Sequence, residues 1–141
     1  MAATVCHFEK QIIMSRINIS SGSAYEEPIG FSRAVKIGNI IAVSGTAPIA
    51  KDGSTAFPGD LYKQTRQCIE IIRKAIEDAG GNLKNVIRTR IYLINISDWE
   101  NAARAHGEYF STIKPACTFV EVKGFIKSDW LVEMEADCVV E

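Results

Sequence analysis

The stretch from Asp60 to Gly81 does most to limit what this chain can become. Apolar residues recur at Leu61, Cys68, Ile69, Ile72, Ala75, Ile76 and Ala79, with Thr65 a marginal member, and together they trace one face of a helix. Lys63, Arg66, Glu70, Lys74 and Glu77 fall on the opposite face, where Glu70 and Lys74 stand four apart in the favourable order. Asp60 is placed to cap the first turn. Gly80-Gly81 ends the helix, because glycine enters the left-handed conformation without a Cβ penalty. A helix with one wet face and one dry face must be laid against another layer.

That layer reads as strands. Two runs rich in valine and isoleucine, Phe31 to Ile37 and Asn39 to Gly45, meet at Gly38-Asn39, which suits a tight hairpin. Val86 to Ile94, Cys117 to Lys123 and Leu131 to Val140 supply three more strands, and Asp52-Gly53 marks a turn in the loop from Ala50 to Pro58. A second helix is expected from Ser97, with Glu100 completing a capping box, to about Phe110. It should bury some of Trp99, Ala102, Ala103, His106 and Phe110, and Pro115 bars its continuation. Arg16 to Ile29 reads as an irregular arm or short edge strand. Residues 1–15 are a lead-in and 16–141 a single domain. The predicted order is β-β-α-β-α-β-β, an α+β fold with one mixed β-sheet and both helices packed on one face.

The chain's 141 residues can bury a core without disulfides or a structural metal. Sixteen basic against seventeen acidic residues leave a net charge of -1, which offers nothing to nucleic acid or to an anionic membrane. Cys6, Cys68, Cys117 and Cys138 are scattered with no C-x-x-C pair, and His7 and His106 lie outside any ligand-like spacing. No metal and no cofactor are therefore expected, and a Gly-rich nucleotide loop is absent too. Reduced thiols fit a cytoplasmic address. No apolar run approaches the ~18 residues that span a bilayer, and Met1 to Lys10 lacks the apolar block of a secretory signal.

Two helices cover only one side of such a sheet. In the last strand Val132, Met134, Ala136, Cys138 and Val140 face one way, while Leu131, Glu133, Glu135, Asp137 and Val139 face the other. In the third strand Ile87, Thr89, Ile91 and Leu93 oppose Arg88, Arg90, Tyr92 and Ile94. The second face mixes charge with bulky apolar groups, which suits packing against copies of the same chain. The plainer alternative is a monomer whose arginines and acids form a cross-strand ladder.

Several stretches, taken in order, resemble the Rid/YjgF family of reactive-intermediate deaminases. They are Gly30 to Asn39, Val43-Ser44-Gly45, Gln64-Thr65-Arg66-Gln67, Ala79-Gly80-Gly81, Val86 to Leu93, Lys114-Pro115-Ala116, Val120-Glu121-Val122 and Glu133 to Ala136. The resemblance implies a chorismate-mutase-like fold and a homotrimer with a barrel-like core and clefts between subunits. It also implies conversion of enamines and imines, such as 2-aminoacrylate, to 2-oxo compounds and ammonia.

Carried over residue by residue, the family's site falls on Ser44 and Glu133 as candidate catalytic residues, the glutamate positioning water. Phe31, Ala116, Cys117 and Arg90 are the candidate substrate-binding residues. Cys117 stands where the family has an arginine that grips a carboxylate, Phe31 replaces an aromatic hydroxyl, and Ala103 replaces an asparagine. Loss of that bidentate grip costs about 2–4 kcal/mol, or roughly two to three decades in kcat/KM, and puts the usual 2-aminoacrylate activity in doubt. Arg33, Arg88 or Arg90 could supply a substitute charge, or could pair with Glu121, Glu133 or Glu135. Cys117 as a nucleophile would need a base, and His106 and Lys114 are its nearest candidates in sequence; an apolar cleft-lining role is the preferred reading. Trp99 and Phe110 read as helix packing. The expected function is enamine or imine hydrolysis on a small metabolite, and the alternative is a noncatalytic metabolite-binding module using the same cleft. Ribonuclease activity is disfavoured by the balanced charge and by the lack of an acid–base histidine pair.

Overall fold

A computed structural model describes residues 14–141. Most of the expected lead-in, with Cys6 and His7, lies outside the described residues. The elements are β1 (Arg16–Ile19), a one-turn helix α1 (Glu26–Ile29), β2 (Ala34–Ile37), β3 (Ile40–Thr46), α2 (Leu61–Asp78), β4 (Val86–Leu93), α3 (Trp99–Phe110), β5 (Ala116–Glu121) and β6 (Val132–Val139). The strands form one mixed sheet in the order β1-β2-β3-β6-β4-β5. Every neighbouring pair is antiparallel except β4 with β5, the two strands joined through α3. The expected order from Phe31 onward is present, and β1 adds an edge strand from the segment that reads as an arm.

Both long helices share one core with the sheet. Cys68, Ile69, Ile72 and Ile76 of α2 and Ala102 and Phe110 of α3 pack with Ile41, Ile91, Leu93, Val132, Met134 and Ala136. In β6 the alternation holds: Val132, Met134, Ala136 and Cys138 are buried, while Glu133, Glu135 and Asp137 are half-buried on the opposite face. The Asp60 carboxylate accepts from the Lys63 amide at 2.9 Å, so the cap is made. Gly38 has φ 58° in the two-residue hairpin, and Gly80 has φ 89° at the end of α2. Gly81 serves differently. A Cβ there would lie 3.0 Å from Ile76 and 3.2 Å from both Ile41 and Asn85.

Several local expectations change. The register of β4 on β6 shifts between Val86 and Arg88, so Val86 is buried and Ile87 is turned out to solvent, the reverse of strict alternation. The capping box at Ser97 does not form. Ile96–Asp98 is a 3-10 turn whose Ile96 amide donates to Glu121 Oε2 and whose Ser97 amide donates to Asn95 Oδ1, and α3 starts at Trp99. Trp99, expected to pack within the helix layer, is 47% exposed, with its ring edge-on to Phe119. Glu70 pairs with Arg73 and Lys74 with Asp78, rather than with each other. Leu131 packs on the core instead of the open face, because its amide is held at 2.8 Å by Gln64 Oε1. No helix among the described residues is long and apolar enough to cross a membrane.

Candidate functional site

The expected site residues lie on two separate surfaces of one protomer. The first is an open recess on the face of the sheet away from the helices, bordered by Arg16, Asn18, Phe31, Ser44, Glu135 and Asp137. Strand β1, hairpin β2–β3 and strand β6 build it, because they are consecutive neighbours in the sheet. Ser44 sits where the β3–β6 register shifts between Val43 and Thr46. Its Oγ donates to the main chain, to Ser32 O at 2.9 Å or Arg33 O at 3.1 Å. A hydroxyl has one proton, so Ser44 presents a ligand with lone pairs rather than a free donor.

Glu133 stands next to this recess. A Cβ at Gly45 would come 3.4 Å from its Oε2, so the glycine leaves the carboxyl close to the β3 backbone. Burial pushes the Glu133 carboxyl above the usual carboxylate range; the Arg33 charge opposes this and the Glu135 charge adds to it. Arg33 is itself buried, and burial lowers its pKa against the favourable charges of Glu26 and Glu133. Its Nη1 donates to Gly45 O at 2.7 Å and Thr46 Oγ1 at 2.8 Å, and its guanidinium carbon lies 5.6 Å from the centre of the Phe31 ring. Glu26 accepts from Ser20 Oγ, Ser21 Oγ and the Ser21 amide. Burial works against its ionisation, but these bonds and the Arg33 charge bring its carboxyl below the usual range overall.

The second surface is the far edge of the sheet. Cys117 is exposed on β5, in register with Thr89 and therefore on the helix side. Ala116 is in register with Arg88 on the other side. Thr89 Oγ1 and His106 Nε2 are 2.8 Å apart. The His106 ring lies 4.6 Å from that of Phe110, and burial lowers its pKa. Ala103 is half-buried one turn earlier on α3. Between β3 and β5 lie β6 and β4, so three strand spacings, about 14 Å, separate Ser44 from Cys117 laterally. One copy of the chain does not bring Cys117 together with Ser44 or Glu133.

Arg90 is engaged elsewhere. Its Nη1 donates to Asp137 Oδ2 at 3.0 Å, with Glu135 Oε2 at 3.5 Å. Arg88 Nε lies 4.0 Å from the same Asp137 oxygen. Tyr92 stands opposite Glu133 in the β4–β6 register. The open face thus carries a cross-strand ladder of two arginines and two acids.

Two buried polar residues have structural roles that sequence patterns do not reveal. Gln64 is fully buried; its Nε2 donates to Asp129 O at 3.0 Å while its Oε1 accepts from the Leu131 amide. The available signal is a polar residue at a position belonging to the apolar stripe, between Leu61 and Cys68. Glu26, in the segment that reads as irregular, is a buried acid tied to the arm. No group of three or more potential metal-ligating His, Cys, Asp or Glu side chains occurs among the described residues.

The sequence profile of the family described as Endoribonuclease L-PSP matches residues 22–140. A RutC family protein of Pyrococcus abyssi is 40% identical over 111 residues, spanning 78% of this chain and 87% of that protein. The 3-aminoacrylate deaminase RutC of Acinetobacter baylyi is 36% identical over 101 residues, spanning 72% and 79% respectively. The crystal structure of a Mycobacterium tuberculosis member of the YjgF/YER057c/UK114 family superposes with a TM-score of 0.81 at 40% identity, covering 89% of this chain and all of that one.

Proposed function

The chain belongs to the RidA/YjgF family, and from that premise we propose that it hydrolyses a small enamine or imine in clefts formed between copies of itself. The observation that carries the reading is Glu133, a half-buried carboxyl beside Gly45 with its pKa raised by burial. A carboxyl shifted in that direction is a stronger base than an ordinary carboxylate, so it takes a proton from water more readily and can give it up again. Water adds to the C=N carbon of the imine form as Glu133 takes one of its protons and returns it to the nitrogen, leaving a hydroxyl and an NH2 group on the same carbon. Glu133 then takes the hydroxyl proton and passes it to that nitrogen, so the C–N bond breaks, ammonia leaves and the C=O bond forms. Ser44 orients the substrate through its free lone pairs. The small-molecule partner, the homotrimer, the single domain over 16–141 and the cytoplasmic setting all belong to this proposal.

The shared cleft is supported by the separation of the two surfaces. Ser44 and Glu133 on one copy need a second copy's β5 edge before Cys117 and Ala116 can line the same space. Exposed Ile37, Ile40 and Ile87, with the arginine–acid ladder, give the open face what a partner copy would bury. Cys117 in place of arginine marks a divergent branch in which substrates held by a carboxylate grip bind weakly. Arg90, paired with Asp137 and Glu135, would have to leave those acids to serve as a substitute.

The test is ammonia release from freshly generated 2-aminoacrylate and 3-aminoacrylate, the second being the compound for which the Acinetobacter relative is named. A rate above buffer that disappears in Glu133→Gln supports hydrolysis. Rates equal to buffer with both substrates refute hydrolysis of these compounds. The Cys117, Phe31 and Ala103 departures favour the second reading, a metabolite-binding module; retained metabolite binding in Glu133→Gln would then support it. A monomer at micromolar concentration would remove the shared cleft from both readings.

A further inference from the structure

We propose that Arg33 is a positioning residue for Glu133: its guanidinium staples the β3 bulge that carries Ser44 and Gly45 and supplies the counter-charge facing the carboxyl. The inference rests on the reading of Glu133 as the working acid and assigns Arg33 a role other than gripping substrate.

A register shift costs a strand some of its ladder bonds. Here the shift falls at Ser44 and Gly45, between Val43 and Thr46. Arg33 meets the exposed acceptors: Nη1 donates to Gly45 O at 2.7 Å and to Thr46 Oγ1 at 2.8 Å, with Ser44 O at 3.5 Å. Thr46 Oγ1 in turn donates a hydrogen bond to Ser44 O at 2.8 Å. In return, the Ser44 amide donates to Arg33 O at 3.0 Å, and Ser44 Oγ turns toward the same segment. Bulge and arginine are therefore stitched in both directions. The stitched backbone is the one that Glu133 Oε2 approaches at Gly45.

Arg33 is only 7% exposed, and its Nε is buried without a partner among the described residues. A charge so placed persists only where opposite charge compensates it. The charges of Glu26 on α1 and Glu133 on β6 act on it through space, neither within ion-pair distance, and Cys68 from α2 lies within the same field. The Cys68 thiol is held neutral by burial, which pushes its pKa well up. Glu26 is already occupied by Ser20 and Ser21. Around Glu133 the remaining charged or titratable neighbours are Glu135 on its own strand and Tyr92 across on β4. Arg33 is the cation in that set, so removing its charge must favour the protonated carboxyl.

The experiment follows the Glu133 carboxyl by carbon-13 NMR titration of the full chain, with Glu133→Gln identifying the resonance. Arg33→Gln keeps an amide donor for Gly45 and Thr46 but removes the charge, whereas Arg33→Lys keeps the charge but not the planar fork. The Glu133 midpoint should move up in Arg33→Gln and stay near wild type in Arg33→Lys. A midpoint unchanged in Arg33→Gln, or moved equally by both substitutions, overturns the proposal. Should Arg33→Gln fail to fold, the wild-type Arg33 Nε–H resonance serves. It should titrate with Glu133 and lose that step in Glu133→Gln, and a flat response overturns the coupling. If the chain hydrolyses neither aminoacrylate, the proposed function fails while the titration still judges Arg33. If it does hydrolyse one, the rising limb of kcat/KM should shift to higher pH in Arg33→Gln.

Discussion

Replacing Gln64 with leucine tests whether one buried amide ties the loop before β6 to α2. Gln64 lies inside the core, with its Nε2 on Asp129 O at 3.0 Å and its Oε1 on the Leu131 amide at 2.8 Å. Leucine fits the volume but leaves both main-chain groups without partners. Two orphaned groups cost about 2–5 kcal/mol, and the more apolar side chain returns about 1 kcal/mol. The expected loss is therefore roughly 1–4 kcal/mol, or on the order of 3–12 °C in Tm for a chain of this size. Urea denaturation at several protein concentrations measures it and separates folding from assembly. Gln64→Glu keeps an acceptor for Leu131 but turns a carboxylate oxygen on Asp129 O, so it should lose stability as well. If Gln64→Leu stays within roughly 0.5 kcal/mol of wild type, the range of an inconsequential surface change, the bonds do not anchor the loop.

Cys117→Arg should raise kcat/KM for a carboxylate-bearing enamine by roughly two to three decades, as a charge-assisted contact returns; ammonia release measures this, and no gain places the clamp elsewhere. Gly80→Ala should cost about 1–2 kcal/mol because φ is 89° there. Gly81→Ala should cost about 1–3 kcal/mol through crowding against Ile76, Ile41 and Asn85; thermal melts of the two variants check both. Glu133 has a raised pKa, so its folded form holds a proton that the unfolded chain has already released. Its contribution to stability is complete below the ordinary carboxylate pKa and is lost as pH rises through the folded value. Glu133→Gln should therefore gain on wild type as pH rises above the ordinary carboxylate pKa. Paired urea titrations would contradict this if the variant instead fell behind as pH rose.

Much of the architecture is readable because its signals are local. The apolar stripe of α2, its aspartate cap and the alternation from Val132 to Cys138 each depend on residues within a few positions of one another. The order of elements and the single-sided cover by helices follow from those periods. Where long-range contacts compete, local patterns mislead. Alternation places Ile87 inside, but the bulge after Val86 turns it out. Ser97 has the chemistry of a cap, but Glu121 and Asn95 meet the amides of Ile96 and Ser97, and Gln64 holds the Leu131 amide.

The candidate site divides in the same way. Residue chemistry and the family resemblance single out Glu133 and Ser44 and mark the absence of a cation at Cys117, since a thiol cannot make the planar pair of hydrogen bonds that a guanidinium donates to a carboxylate. Tertiary structure decides what those residues are beside. It buries Arg33 against the bulge, engages Arg90 with Asp137 and Glu135, and puts Cys117 on an edge strand, three strands away from Ser44 and on the other face of the sheet. Strand order and register determine those neighbours, and both arise from pairings between segments as far apart as β3 and β6, which no short window of sequence contains.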